Sequence, residues 1–287
     1  MILVIGATGP TGSEATRQLL LRGEHVRALT RDRAKAEAMP ALAGAEIAVG
    51  DSSKPETLEE AFAGVEKVYL VPPTEPGWDQ MQSGLIQAAR DADVRHIVKM
   101  SAIGAGPKEP SMSLRFHWQG EEEVEKSGMA WTILRGNSFH QNTLFDAETI
   151  KSEGKFYSCV GETRLAKVDT RDIGEVVARV LTEEGHEAQV YELTGPESLT
   201  YHDMAHHLSR VSHHTVEYVD MPHDDYAAHL RATGFPDWLA QEFVDIYGRG
   251  FYGEGRGSYT TDTVQWILRR APRRYDAFVH DYAEAFS

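Results

Sequence analysis

Residues 2–12 read Ile2-Leu3-Val4-Ile5-Gly6-Ala7-Thr8-Gly9-Pro10-Thr11-Gly12. Four consecutive apolar residues run directly into three glycines, and Ala15, Leu19 and Leu20 follow at helical spacing. A short unbroken apolar run bounded by glycine has the signature of a strand buried on both faces. The glycines then have separate duties. Gly6 permits the tight turn, Gly9 lets a backbone approach a pyrophosphate, and Gly12 lets the helix sit close to the strand. The N–H groups of the first helical turn, at the positive end of its dipole, suit phosphate charge. Together these residues predict a dinucleotide cradle made of Gly6, Thr8, Gly9, Pro10, Thr11 and Gly12. A glycine turn that binds nothing is the alternative, and the strand–turn–helix context argues against it.

Working outward, Val26-Arg27-Ala28-Leu29-Thr30 reads as a second strand about twenty residues on. A site selective for NAD usually places an acid at this strand end, where it accepts from the ribose 2′-hydroxyl. Here Arg31 stands there, and Lys35 follows one helical turn later. Two cations suit a 2′-phosphate, because guanidinium offers a fork of donors. NADPH is therefore expected over NADH. Two alternatives stay open: Arg31 bordering a solvated loop, or Asp32 aimed at the ribose.

The strand–helix alternation continues. Strands are expected at 2–6, 26–30, 45–49, 67–71, 96–100 and 131–135, with helices at about 12–22, 33–38, 56–62, 78–92 and 115–127. Such alternation predicts an α/β fold, a doubly wound parallel sheet of the Rossmann type with right-handed crossovers. Ligands of these sheets sit beyond the carboxyl ends of the strands. That rule selects Asp51 and Ser52, near an adenine, and Val71, Pro72 and Pro73 as a rigid wall. It also selects Ser101, close to a nicotinamide ring, and Asn137 and Phe139 as pocket walls.

Residues 1–137 form the expected dinucleotide-binding domain. Residues 138–287 are expected to be a smaller α/β substrate region whose elements interleave with the first. Within it, 166–181 reads as a short strand, a cap at Asp169 or Thr170 and an amphipathic helix. Residues 190–194 read as a strand, and Thr200 opens another capped helix. The run Gly248-Arg249-Gly250-Phe251-Tyr252-Gly253-Glu254-Gly255-Arg256-Gly257 reads as either a mobile flap or an ordinary surface loop.

The chain has 287 residues and a formal charge of −15. That acidity argues against nucleic acid or an anionic membrane as partner. A small molecule is the expected partner, and the chain is expected to act as a monomer or homodimer. The one cysteine, Cys159, forms no internal disulfide, fits a reducing cytosol and reads as a packed thiol. A cytoplasmic location follows. His202, His206, His207, His213 and His214 invite a metal reading, but no Glu follows His202, and a solvated helix face is preferred. No metal is expected.

Several of these stretches together resemble the NmrA-like branch of the atypical short-chain dehydrogenase/reductases. They are Gly6–Gly12, Val26–Asp32, Gly50-Asp51, His117 with Glu121 ahead of Ser127-Gly128, Trp131–Asn137 and Leu193–Thr200. The resemblance implies an NADPH-dependent reductase of quinone-like or polycyclic aromatic carbonyl compounds. The same branch also contains sensors that bind dinucleotide without turning it over. Members of the wider superfamily carry a Tyr-x-x-x-Lys pair as proton donor. Placing His117 in the lysine slot puts Ser113 in the tyrosine slot, and no tyrosine occurs between Tyr69 and Tyr157. Acceptors that take hydride readily dispense with that donor. His117 is then either a general acid or a helix histidine bonded to a carbonyl. Ser101 either contacts substrate or caps its turn. Trp78, Phe139, Tyr226 and Trp238 offer flat surfaces for an aromatic substrate or serve as ordinary core.

Overall fold

The computed structural model describes residues 1–287. Nine strands form: β1 (Ile2–Ile5), β2 (Val26–Thr30), β3 (Glu46–Val49), β4 (Lys67–Leu70), β5 (His96–Ala102), β6 (Ala130–Gly136), β7 (Lys155–Ser158), β8 (Gln189–Leu193) and β9 (Glu217–Asp220). Seven of them build one parallel sheet in the order β3-β2-β1-β4-β5-β6-β8. The strand order reverses between β1 and β4, so the chain switches faces there. A crevice opens at such a switch point, beyond the carboxyl ends of the strands.

Why β1 is apolar throughout is clear from its neighbours. Ile2 and Val4 point into one core, with the helices Pro10–Leu21, Thr170–Thr182 and Thr263–Leu268. Leu3 and Ile5 point into the other, with the helices Glu59–Phe62 and Trp78–Asp91. Alternate residues of one strand thus feed two helical layers.

Residues after 137 do not stay apart from this sheet. The helix Thr170–Thr182 lies against Pro10–Leu21 so closely that a Cβ on Gly174 would meet Glu14 Cβ at 2.6 Å. β8 then extends the sheet beside β6. Between these returns, the chain builds a separate cap with its own core of 25 buried residues, rich in tyrosine and phenylalanine. A two-stranded parallel sheet, β7 with β9, braces this cap. Neither strand was expected from sequence.

Helix boundaries shift from the expected ones for local reasons. The first helix starts at Pro10, whose fixed φ and missing N–H suit the first helical position. The helix Met112–Glu125 starts three residues before the expected 115, because Ser111 Oγ accepts from Leu114 N.

Candidate active site

The switch-point crevice is a groove whose floor is backbone. Gly6 has φ +75°, and a Cβ there would meet the Val71 side chain at 2.9 Å. A Cβ on Gly12 would lie 2.1 Å from the Gly6 carbonyl oxygen. Gly9 differs: only the Gly6 oxygen, at 3.3 Å, stands near its absent Cβ. Gly6 and Gly12 are therefore glycine for internal packing, and Gly9 leaves open space where a pyrophosphate would approach. Thr8, Gly9 and Pro10 line one side of the groove, and Leu29, Thr30, Arg31, Gly50 and Ser52 line the other. Val71, Pro72, Pro73, Thr74 and Glu75 close it. The donor set fits a phosphorylated dinucleotide.

Arg31 stands at the expected strand end with its guanidinium largely exposed. Its Nη1 donates to both Glu75 carboxylate oxygens at 3.0 Å. An exposed pair of this kind is worth at most about 1 kcal/mol, so Glu75 holds Arg31 lightly. Asp32 is not aimed at a ribose: its carboxylate caps the helix Arg33–Glu37, accepting from Lys35 N at 3.0 Å. Lys35 does not line the groove, because that short helix carries it away from the strand end. Asp51 also turns away, accepting from Ser53 N at 2.9 Å and Ser53 Oγ at 2.7 Å. These bonds hold its carboxyl below the usual range. Gly50 and Ser52 form the wall instead.

Val71, Pro72, Pro73 and Thr74 are shared with a second cavity of about 230 Å³. Its rear is formed by Thr11 and by Met100, Ser101 and Ala102 at the end of β5. One side is formed by Gly136, Asn137, Ser138 and Phe139 after β6, and the other by Trp78, Ser113 and His117. Asn142, Ile246, Tyr247 and Tyr252 cover it from the cap. Val71–Thr74 thus form a common ridge, across which a dinucleotide held by the groove residues would reach this cavity.

His117 presents a free polar end to the cavity, as do the hydroxyls of Ser113 and Thr74, which make no hydrogen bond within the protein. Its Nδ1 lies 3.3 Å from Lys99 Nζ, while Nε2 has no protein partner and is not sealed from the cavity. Lys99 is wholly buried on β5, and its ammonium also donates to the Met100 carbonyl at 3.1 Å. An ammonium carries donors only, so it fixes Nδ1 as the acceptor and leaves the imidazole proton on Nε2. Burial, then the Lys99 charge, hold His117 well below its ordinary pKa. Burial brings Lys99 down to about 7, against the pull of Glu121 and Glu123. No motif in the sequence singles out Lys99. A lysine inside an apolar strand was the available signal.

The comparisons with known proteins agree with this geometry. Residues 6–184 match a family model described as NAD(P)H-binding. An NAD(P)H azoreductase of Xenophilus azovorans is 37% identical over 286 residues, covering 100% of this chain and 99% of the relative. The NADPH-dependent quinone oxidoreductase of Escherichia coli, solved with NADPH, superposes with TM-score 0.86 at 29% identity, covering 98% of this chain and 99% of that one. The triphenylmethane reductase of Citrobacter sp., solved with NADP(H), gives TM-score 0.87 at 26% identity over 98% and 99%. The chain belongs to the NAD(P)H-binding oxidoreductases of the NmrA-like branch.

Several residues of this oxidoreductase do other work than expected. Ser101 Oγ donates to the buried Glu121 carboxylate, so its proton is committed away from the cavity. Glu121 in turn takes a fork from Arg135, at 3.0 Å from Nε and 2.6 Å from Nη2. Asn137 remains a wall: its amide donates to the Gly257 carbonyl at 3.0 Å, and its oxygen accepts from Ser138 N at 2.7 Å. Trp78 and Phe139 line the cavity as expected, whereas Tyr226 lines a different chamber and Trp238 lines neither. Tyr247 and Tyr252, unassigned from sequence, complete the walls.

The glycine-rich run is neither a flap nor a loose loop. Phe251 packs onto Gly104 so tightly that a Cβ there would meet its ring at 2.4 Å. Arg256 grips Glu109 with two bonds, at 2.9 and 2.6 Å. The glycines let the chain fold back on itself: a Cβ on Gly253 would lie 2.0 Å from the Gly248 carbonyl oxygen. A second tie comes from Glu242 in the helix Asp237–Tyr247. Its buried carboxylate accepts from Ser111 Oγ and from Met112 N and Ser113 N at 2.9 and 3.0 Å. The cap thus supplies the anion at the N-terminus of the helix that carries His117.

The remaining polar candidates are ordinary. His202 faces Glu162 on the surface, and His214 Nε2 meets the Ile150 carbonyl at 2.8 Å. No cluster of three His, Cys, Asp or Glu side chains is placed to hold a metal. Cys159 is buried, and that burial pushes its thiol up to about 12. No helix is long and apolar enough to cross a membrane.

Proposed function

We propose that this oxidoreductase uses NADPH to reduce a quinone-like or polycyclic aromatic carbonyl compound, with His117 Nε2 as proton donor in place of a Tyr-Lys pair. The observation that carries the reading is the unpartnered Nε2 in a cavity that shares the Val71–Thr74 ridge with the dinucleotide groove. The cavity exceeds the roughly 150 Å³ that admits a benzene ring, which supports an aromatic acceptor. Trp78 and Phe139 supply flat apolar walls. The reported names of the relatives, covering quinone, azo and triphenylmethane substrates, point to the same class.

The reduced nicotinamide supplies the hydride; the chain positions the acceptor and supplies the proton. Nε2 gives its proton to the acceptor oxygen as charge builds there. Lys99 passes a proton to Nδ1, so the ring stays neutral and the amine is left to be reprotonated from solvent. Arg31, held only by an exposed pair with Glu75, would hold the 2′-phosphate and favour NADPH. A protein that only senses the cofactor has no use for the cavity.

The test is steady-state oxidation of NADPH and of NADH against naphthoquinones, triphenylmethane dyes and polycyclic ketones. Faster turnover with NADPH on the ring acceptors is expected. Tight NADPH binding with no turnover on any acceptor overturns the reading in favour of the sensor.

A further inference from the structure

Behind the cap wall of the reaction cavity lies a second chamber, used by nothing described so far. Lys167 is 4% exposed, and its ammonium makes no hydrogen bond or ion pair within the protein. Its only close partner is a ring face: Nζ sits 5.2 Å from the centroid of Tyr201. Taking an ammonium out of water costs several kcal/mol unless another group compensates. One carboxylate, Asp146, shares the chamber: it makes no direct contact with the ammonium, though the two charges attract each other across it. Burial pushes Asp146 up to about 7 and brings Lys167 down to about 8.

The chamber is small and selective. Its enclosed space is about 40 Å³, room for two or three waters or one carboxylate-sized group. Phe156, Tyr226 and Phe243 give it apolar walls, and the exposed Phe145 and Thr233 stand at its outer edge. It also adjoins the reaction cavity, since Asn142 and Tyr247 line both. At that shared wall Tyr247 OH and Ser138 Oγ are 2.7 Å apart, and Asn142 reaches both more loosely. A chain of a few atoms attached to a ring in the reaction cavity has this wall to pass and the ammonium beyond it.

We infer that the chamber holds an anionic substituent of the acceptor, a carboxylate or sulfonate, with Lys167 as its counter-ion. The inference rests on the proposed reduction of a ring acceptor and adds a substrate class to it: aromatic acceptors bearing a negatively charged side chain.

The experiment compares three acceptors: 1,4-naphthoquinone, the same ring with a carboxypropyl chain, and the methyl ester of that chain. Lys167→Met is expected to raise KM for the acid about tenfold, the loss of one charge-assisted bond. KM for the ester and the parent ring is expected to stay within about twofold of wild type. Calorimetric titration of the acid into the oxidised-cofactor complex of each protein should show the same tenfold weakening. Equal responses of acid and ester to Lys167→Met, or no difference in the titrations, overturns the inference. Failure of the wild type to reduce the parent naphthoquinone instead overturns the reductase reading, and the titration still decides the subsite. A Lys167→Arg variant guards against misfolding: it should keep preference for acid over ester.

Discussion

The dinucleotide groove and the reaction cavity share one ridge, Val71–Thr74, yet they are made of different material. The groove is backbone: its shape depends on what Gly6, Gly9 and Gly12 lack, and its side-chain contacts are few and exposed. The cavity is side chain: His117, Lys99, Trp78 and Tyr247 come from segments far apart in sequence, and most are buried. A site made of backbone tolerates change in its polar residues and fails when space is filled. A site made of side chains behaves the opposite way.

The largest effect should come from filling the groove. Gly12→Ala sets a Cβ where the Gly6 oxygen already lies, and NADPH affinity should fall by about three orders of magnitude. Cofactor titration checks this, with circular dichroism to show that the sheet persists. Next, His117→Ala should lower kcat by about 100-fold, the usual contribution of a positioned acid, and leave NADPH affinity intact. If kcat is unchanged, the proton comes from elsewhere.

Lys99 sharpens the same contrast through pH. Its donating form is the ammonium, and burial sets its pKa at about 7. Turnover should therefore decline as pH rises through 7, and Lys99→Met should lower kcat while removing that alkaline limb. A limb that survives the substitution belongs to another group.

A milder change is expected for Arg31→Ala. Losing a charge-assisted contact should weaken NADPH by about tenfold and leave NADH nearly unaltered. Parallel Kd measurements for the two cofactors distinguish this from a general loss. Smallest of all is Cys159→Ser: the buried thiol faces neither site, so Kd and kcat should remain within about twofold.

The same contrast explains what could be read from the sequence. β1, the glycines and the helix after them are contiguous, so periodicity and turn chemistry expose them directly. The groove was legible for that reason, down to Arg31 and the Val71-Pro72 wall. Lys35 and Asp51 were misplaced because a single rotation of a short helix or turn decides which way a surface side chain faces. The cavity was half legible. His117 stands out by its place in a motif, but Lys99 is hidden inside a strand, and Tyr247 and Tyr252 reach the cavity only because the cap folds over it. Long-range packing of that kind leaves no local pattern. Nor does the pairing of β7 with β9, whose strands are separated by some sixty residues.

The Glu242 tie carries one more consequence. Any motion that lifts the helix Asp237–Tyr247 to admit or release a ligand also pulls its carboxylate from Ser111, Met112 and Ser113. The same motion withdraws Tyr247 from the cavity wall. Moving the cap helix and loosening the helix that bears His117 are therefore coupled through one carboxylate.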